Sequence, residues 1–395
     1  MTPYHNQNIN GYSALNTQLI TDPSSLRDIV PSWDLLARQA LEPNPFYESW
    51  MLLPALEQLL EQHHDVSVLL IWKDASHSLL IGFFPLTAEQ TYQKMPANHW
   101  TNWLHAHCPL GTPLVHQDHA IQAVVSFFQW LQKQAHITAF SLNKIPLEGL
   151  FIRIFKDVAQ EQKQLLDDTD YWERAFLNST LSPEDYLQMY QGNRKLKKYR
   201  RLRQRLSEVG DLEFHTLMPG QTRHLDQWIR EFLQLEQSGW KGEKHTALAC
   251  RPNERVFAEE LIRHAAMRGQ LMMMKMTLDD TVIAIHMSIL GATFGAFAFK
   301  GAYDERYAKY SPGVLLDLEN IYVTLDNKQT ITWMDSCATP DHPVLNRLWA
   351  ERKRMVNLHV STRHILSKPL VYVMRTLRVW KIRYASRKSL HAVAA

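Results

Sequence analysis

Two stretches of this chain, about two hundred residues apart, repeat one order of elements, and that repeat narrows the possible folds more than any other feature. Residues 65–74 (DVSVLLIWKD) and 78–87 (SLLIGFFPLT) are apolar, β-prone runs around a short turn, and residues 99–108 (HWTNWLHAHC) follow as a third strand. PLGTP (109–113) breaks the chain; a helix is predicted over 119–134, a strand over 137–143 and a helix over 147–162. The second stretch begins near residue 270 with QLMMMKMTLDD and TVIAIHMSILG, a hairpin about Asp279–Asp280. A strand over 293–304, the break SPG (311–313), a helix over 314–325, a strand over 330–336 and a helix over 342–355 complete it. A hairpin feeding a strand–helix–strand unit requires a mixed sheet with helices on its faces. Two such units in series predict an α/β chain of duplicated domains. The expected boundaries are a polar segment 1–30, a first domain 31–180, a second domain 181–360 and a basic tail 361–395.

Between the repeats runs GNRKLKKYRRLRQRLSEVG (192–210). Leu196, Tyr199, Leu202, Leu206 and Val209 form a helical stripe, and eight Lys/Arg lie between Arg194 and Arg205. Two readings stay open: a helix docked by its stripe with a solvated basic face, or a basic wall toward an anionic ligand.

Composition excludes several classes. Apolar residues at 45% and charged residues at 21% describe an ordinary globular protein. The three cysteines, Cys108, Cys250 and Cys337, are far apart, which fits a reducing cytoplasm better than a disulfide framework. His105, His107 and Cys108 lie close together, but no second ligand pair stands at metal spacing, so no metal is expected. The N-terminus has no basic and apolar leader pattern, and no run of 18 apolar residues exists, so neither a signal peptide nor a membrane span is expected. Charge is uneven. After Glu351 come 11 Lys/Arg and no acid, whereas the first 351 residues hold 32 Lys/Arg against 40 Asp/Glu. A basic tail on an acidic body meets something anionic: a phospholipid surface, a nucleic acid or the body itself.

The stretch KYSPGVLLDL (309–318) places a small residue, a proline and a glycine directly before an apolar helix. Such a junction exposes backbone N–H groups that the helix cannot bond internally. In sequence the region around it resembles the GNAT acyltransferase domain of FemAB-like and CelD/BcsL-type proteins. The residues that carry the resemblance are the basic run NRKLKKYRRLRQRLSEVG, LEQSGWKGEK (235–244), GAYDERYAKYSPGVLLDLENI (301–321) and WMDSCATPDHPVLNRLWAERK (333–353). The match covers roughly residues 185–360, and the first half, with WDLLARQALEPNPFYESW and CPLGTPLV, is similar to the degenerate first GNAT unit of such proteins.

The resemblance implies two tandem GNAT-like domains, each a mixed central sheet flanked by helices. It implies an N-acyltransferase taking an acyl-CoA, acetyl-CoA or longer, to an amine on a sugar, amino acid or cell-envelope precursor, without a metal. In such domains the strand before the break holds the pantetheine arm and the helix after it faces the pyrophosphate. This assigns Lys300, Tyr310, Ser311, Gly313, Val314 and Leu315 to the donor, and Glu236, Trp240 and Lys241 to the acceptor. A helix N-terminus suits an anion through its free N–H groups and its dipole, the dipole alone contributing about 0.3–1 kcal/mol. The sequence departs from the common GNAT loop in having a single glycine. Two alternatives therefore stay open: FemAB-like aminoacyl transfer from tRNA, and a GNAT-fold binding protein of envelope polysaccharide assembly without catalysis.

Acyl transfer to an amine needs a base, donors for the oxyanion and a proton for the departing thiolate. His286 shares a strand face with Ala284 and Ser288, as a base or as a satisfied core histidine. Tyr303 ends the third strand and stands either as a proton donor or as a packing residue. Asp335 ends the fourth, where residues line the crevice of an open α/β sheet or cap the next turn. In the tail, Leu370, Val373, Leu377, Trp380 and Tyr384 form one helical stripe, with Arg375, Arg378, Lys381 and Lys388 largely off it. That pattern fits peripheral contact with the inner face of an anionic membrane, or packing onto the acidic body.

Overall fold

The computed structural model describes residues 15–60, 65–293 and 295–393. Residues 1–14 of the expected N-terminal segment and the side chain of Lys388 lie outside the described residues. Two compact units are present: one comprises Met1–Ser49, Glu61–Trp172 and Arg354–Ala395, the other Trp50–Leu60 and Glu173–Lys353.

In chain order the elements begin with β1 (Asn16–Ile20), α1 (Val30–Arg38), α2 (Ser49–Gln58), β2 (Val66–Trp72), β3 (Leu80–Tyr92), β4 (Met95–Asn102) and β5 (Leu114–Val115). There follow α3 (Ala120–Lys133), β6 (Ala139–Pro146), α4 (Leu150–Glu161) and β7 (Leu166–Leu177). Next come α5 (Pro183–Ser207), β8 (Leu212–Leu217), α6 (Leu225–Ser238), α7 (Trp240–Glu243), α8 (Pro252–Met267), β9 (Leu271–Leu278), β10 (Thr281–Leu290) and β11 (Gly295–Tyr303). The chain closes with α9 (Pro312–Asp326), β12 (Trp333–Asp335), α10 (Leu345–Leu348), β13 (Glu351–Ser361) and α11 (Ser367–Val393).

The first unit holds a sheet in the order β1-β2-β3-β4-β6-β13, antiparallel except for the parallel pair β4 and β6. Its core joins sheet residues such as Phe84 and Phe140 to Phe127, Phe128 and Phe155 of α3 and α4. The second unit, described by itself, places the end of β7 (173–177) beside β12, then β11, β10, β9 and β8. Among the described residues only β11 and β12 are parallel there. Every residue of β9 is buried, which suits its Leu/Met composition to a central strand. The β9–β10 hairpin turns at Asp279 and Asp280, both at positive φ, the backbone of the tightest hairpin loops. The mixed α/β fold with a sheet flanked by helices in each unit is as expected.

Three features differ from the sequence expectation. The helix over 342–355 is the single turn α10 followed by strand β13. From Met355 the residues Val356, Leu358 and Val360 are buried among β-sheet partners, and β13 pairs with β6. Leu345, Leu348 and Trp349 mimic helical spacing over one turn only. The chain therefore returns to the first unit at Arg354, instead of staying in a second domain up to residue 360. The basic run is the second half of α5, which Gly192 kinks at φ 67°. Leu196, Tyr199, Leu202 and Leu206 pack on the second core, while Val209 lies past the helix end and is exposed. In the tail, Val371 and Arg378 face the first unit; Val373, Leu377, Trp380 and Tyr384 are exposed, so the predicted stripe is not the packed face.

Candidate active site

The second unit opens a cavity of about 870 Å³ where β11 and β12 part. Their parallel ladder runs from Gly295 opposite Trp333 to Phe297 opposite Asp335 and then ends. Beyond it, Ala298 and Lys300 to Tyr303 stay paired to β10 on one side, and the run from Ala298 to Tyr303 lines the cavity on the other. This is the end of a parallel pair, where open α/β sheets keep their ligands. The volume lies in the usual range of a small-molecule site, about 300–1,000 Å³.

The next wall is the start of α9. Ser311 precedes it in the left-handed region, φ 55°, and its hydroxyl does not cap the helix. Pro312 has no N–H. Gly313 and Val314 line the cavity with two of the N–H groups that an α-helix leaves without an internal partner. The expected junction is therefore present, and it faces the open side of β11.

His286 enters from β10. A register shift between Met287 and Ser288 locally interrupts the β10–β11 ladder, and both residues reach the cavity together with His286. The imidazole Nδ1 lies 3.3 Å from Asp317 Oδ1, one turn into α9. Burial holds the imidazole down to about 4, and the charges of Lys241 and His342 act the same way. Burial lifts the Asp317 carboxyl to about 8. Near neutral pH the pair therefore keeps one proton between them. The ring rests directly on Gly301, where a Cβ would stand 2.6 Å from His286 Cδ2.

Tyr303 is 37% exposed on the rim, and a Cβ at Gly313 would meet its ring at an ordinary 3.5 Å. Lys300 also lines the cavity; burial pulls its ammonium down, against the charge of Glu236. Trp240 also lines the cavity, 47% exposed, its backbone N–H donated to the Glu305 carboxylate.

Of five further expected site residues, Glu236 and Lys241 line the cavity, whereas Asp335, Leu315 and Tyr310 do not. Glu236 is buried and uses both oxygens inside the protein, one for Lys241 at 3.0 Å and one for the Leu248 N–H at 2.9 Å. Lys241 also bonds to the Gly301 carbonyl at 2.9 Å, so the pair joins α6, α7 and β11 at the cavity wall. Asp335 is fully buried between Arg174 at 2.7 Å and Lys353 at 3.1 Å, outside the cavity lining. Burial acts to raise its carboxyl, but those two cations prevail and hold it below the usual range. Leu315 lies in the core, and Tyr310 packs against that core instead of lining the cavity. Asp317 was not anticipated from sequence; its one signal is a lone carboxylate inside the apolar run VLLDL. Among the described residues no cluster of His, Cys, Asp and Glu could hold a metal ion.

Residues 193–337 match the family described as acetyltransferase (GNAT) domain, and they span α5 to the turn after β12, including the β10, β11 and α9 walls. No curated protein matches the sequence. Among solved structures, the chain is similar to FemX, with a TM-score of 0.54, 8% identity and coverage of 91% of this chain and 100% of that chain. It is also similar to a conserved protein of unknown function from Bacteroides thetaiotaomicron VPI-5482, with a TM-score of 0.51, 10% identity and coverage of 88% and 99%. At such identities the likeness is one of fold.

Proposed function

We propose that the second unit transfers an acyl group from an acyl-CoA to an amine. The observation that carries this is the meeting, in one cavity, of the open side of β11, the uncapped start of α9 and the His286–Asp317 pair. A strand with one side unpaired holds an amide-bearing arm by backbone pairing, and the N–H groups of Gly313 and Val314 suit its phosphates. The neutral imidazole of His286 takes the proton of the attacking amine, and Asp317 fixes the ring's orientation. As the C–N bond forms and the C–S bond breaks, Tyr303 on the rim supplies a proton to the leaving sulfur. The acceptor enters past Trp240. The CelD/BcsL-type likeness, and with it an envelope precursor as acceptor, belongs to this proposal.

A second reading, transfer of an aminoacyl group from tRNA, is favoured by one observation. Arg194, Lys195, Lys197, Lys198, Arg201 and Arg205 of α5 are all exposed. Thermal unfolding with acetyl-CoA, longer acyl-CoAs and tRNA separates the two, since a ligand at 100 times its Kd stabilises by about 2.7 kcal/mol. A rise with acyl-CoA that Gly313→Asp removes supports the first reading. A rise with tRNA alone supports the second, and no rise with any of them refutes both.

A further inference from the structure

Helix α11 has one side anchored to the first unit and another side bare. On the anchored side Val371 is fully buried, and the Arg378 guanidinium bonds to the buried carboxylate of Asp167 and, at 3.0 Å, to His359 Nε2. These contacts fix the helix about its own axis. The rotation they impose turns Val373, Leu377, Trp380 and Tyr384 outward, each between 47% and 62% exposed. Trp380 and Tyr384 stack on one another at 5.6 Å between centroids, so the outer face carries a flat aromatic pair. At the helix start Ile365 and Leu366 are 87% and 61% exposed. A bare run of this kind on an anchored helix is rare on a monomer's surface and marks a partner.

Beside that start lies an open cavity of about 800 Å³ lined by Lys156, Lys163 and Lys368 together with Tyr372 and Asp168. Lys156 neutralises Asp168 at 2.6 Å. Lys163 and Lys368 have no carboxylate partner among the described residues. Two unbalanced ammonium groups thus stand next to the exposed Ile365 and Leu366. Farther along, Arg375 and Lys381 of the same helix are exposed.

We propose that α11 and this lysine-lined cavity form a docking surface for an anionic phospholipid membrane. The apolar and aromatic stripe enters the boundary between headgroups and acyl chains, and the lysines hold phosphodiester headgroups. Charge decides the occupant. After Ser361 the chain carries eight Lys/Arg and no acid, so two copies meeting through their tails would bring like charges together. Trp and Tyr next to cations suit the headgroup region, where both ends of such side chains are satisfied. No helix among the described residues is long and apolar enough to cross a membrane, so the contact is along the surface.

The test uses the full chain with vesicles of phosphatidylcholine alone and of phosphatidylcholine mixed with phosphatidylglycerol. Co-sedimentation with the mixed vesicles only, weakening as salt is raised, is expected. Lys163→Gln and Lys368→Gln should each lower the partition coefficient roughly fivefold. The double variant Leu377→Ser/Trp380→Ser should abolish binding with an unchanged melting temperature, since both side chains are exposed. Failure to bind mixed vesicles at low salt, equal binding to neutral vesicles, or full binding by the double variant overturns the proposal. Release by millimolar inorganic phosphate would assign the lysine cavity to a free anion instead. A dimer in sedimentation velocity that the double variant dissolves would give the stripe to a second copy. Either of these two results also overturns the proposal.

Discussion

Removing one partner of the Glu236–Lys241 pair tests whether these residues brace the cavity or serve an acceptor. Glu236 is 1% exposed and Lys241's side chain 21%, so Glu236→Ala strands an ammonium whose one other bond among the described residues is to the Gly301 carbonyl. It also leaves the buried Leu248 N–H without its acceptor. Breaking a buried ion pair from one side costs about 3–5 kcal/mol, because the remaining charge is uncompensated. For a unit of this size each kcal/mol moves the melting temperature by roughly 2–4 °C, so a fall of roughly 6–20 °C is expected. Differential scanning calorimetry reads it directly. Glu236→Gln keeps an acceptor for Leu248 and should fall between the parent and the alanine variant. Glu236→Gln/Lys241→Met, which removes both charges, should recover most of the loss, the non-additivity that marks a coupled pair. A Glu236→Ala melting temperature within roughly 2 °C of the parent, less than about 1 kcal/mol, would refute the bracing role and return both residues to the acceptor.

Three further outcomes follow from the same cavity and a fourth from the buried Asp335 beside it. His286→Ala should lower turnover about 10²–10⁴-fold in a CoA-release assay over a panel of amines, with CoA affinity by calorimetry nearly unchanged; a variant that fails to fold would instead make it a core histidine. Gly301→Ala should cost about 10²-fold in turnover, since a Cβ 2.6 Å from His286 Cδ2 must push the ring off its position; wild-type turnover would show that the ring's place is immaterial. Asp317 has a folded value of about 8 against 3.8, so its contribution to stability is complete below pH 3.8 and is lost as pH rises through 8. His286, about 4 against 6.5, contributes above pH 6.5 and loses that as pH falls to 4. The two oppose each other in between, so unfolding free energy should decline from about pH 6.5 to 8, and urea titrations of Asp317→Asn should lack that decline. The lowered Asp335 carboxyl stabilises above its unfolded value of 3.8 and stops doing so as pH falls through its folded value, so Asp335→Asn should be less stable at neutral pH but lose less in strong acid.

The parts of this fold legible in the sequence are those set by neighbours along the chain. Alternation and apolar runs mark β2, β3, β9 and β10, and paired aspartates mark a hairpin whose two turn residues need positive φ. The same local logic finds the start of α9, since proline at the first helical position is a matter of one residue and its own backbone. The expectation fails where a distant partner decides. The stretch up to Trp349 reads as helix over one turn, and the predicted helix runs on to residue 355, yet β6, some two hundred residues earlier, takes Met355–Ser361 as a strand. Asp335 ends a strand beside a crevice, which is all that its neighbours reveal. Arg174, 161 positions away, turns it into a buried counter-ion.

The two glycines of the cavity separate what a motif records from what a site requires. Gly313 sits in the SPG signature, but its φ is ordinary and a Cβ there would find room. Within the chain alone, no steric demand makes that residue a glycine. What remains to demand it is a ligand approaching the helix start, which is why an aspartate at this position tests binding and not folding. Gly301 has no signature of its own inside FAFKGAYD, yet its bare Cα is the seat of the His286 ring and its carbonyl anchors Lys241. One position thus joins the candidate base to the brace of α6 and α7. A side chain there would move the imidazole while leaving the helix start intact, so donor binding and proton transfer in this cavity can be separated by substituting one glycine or the other.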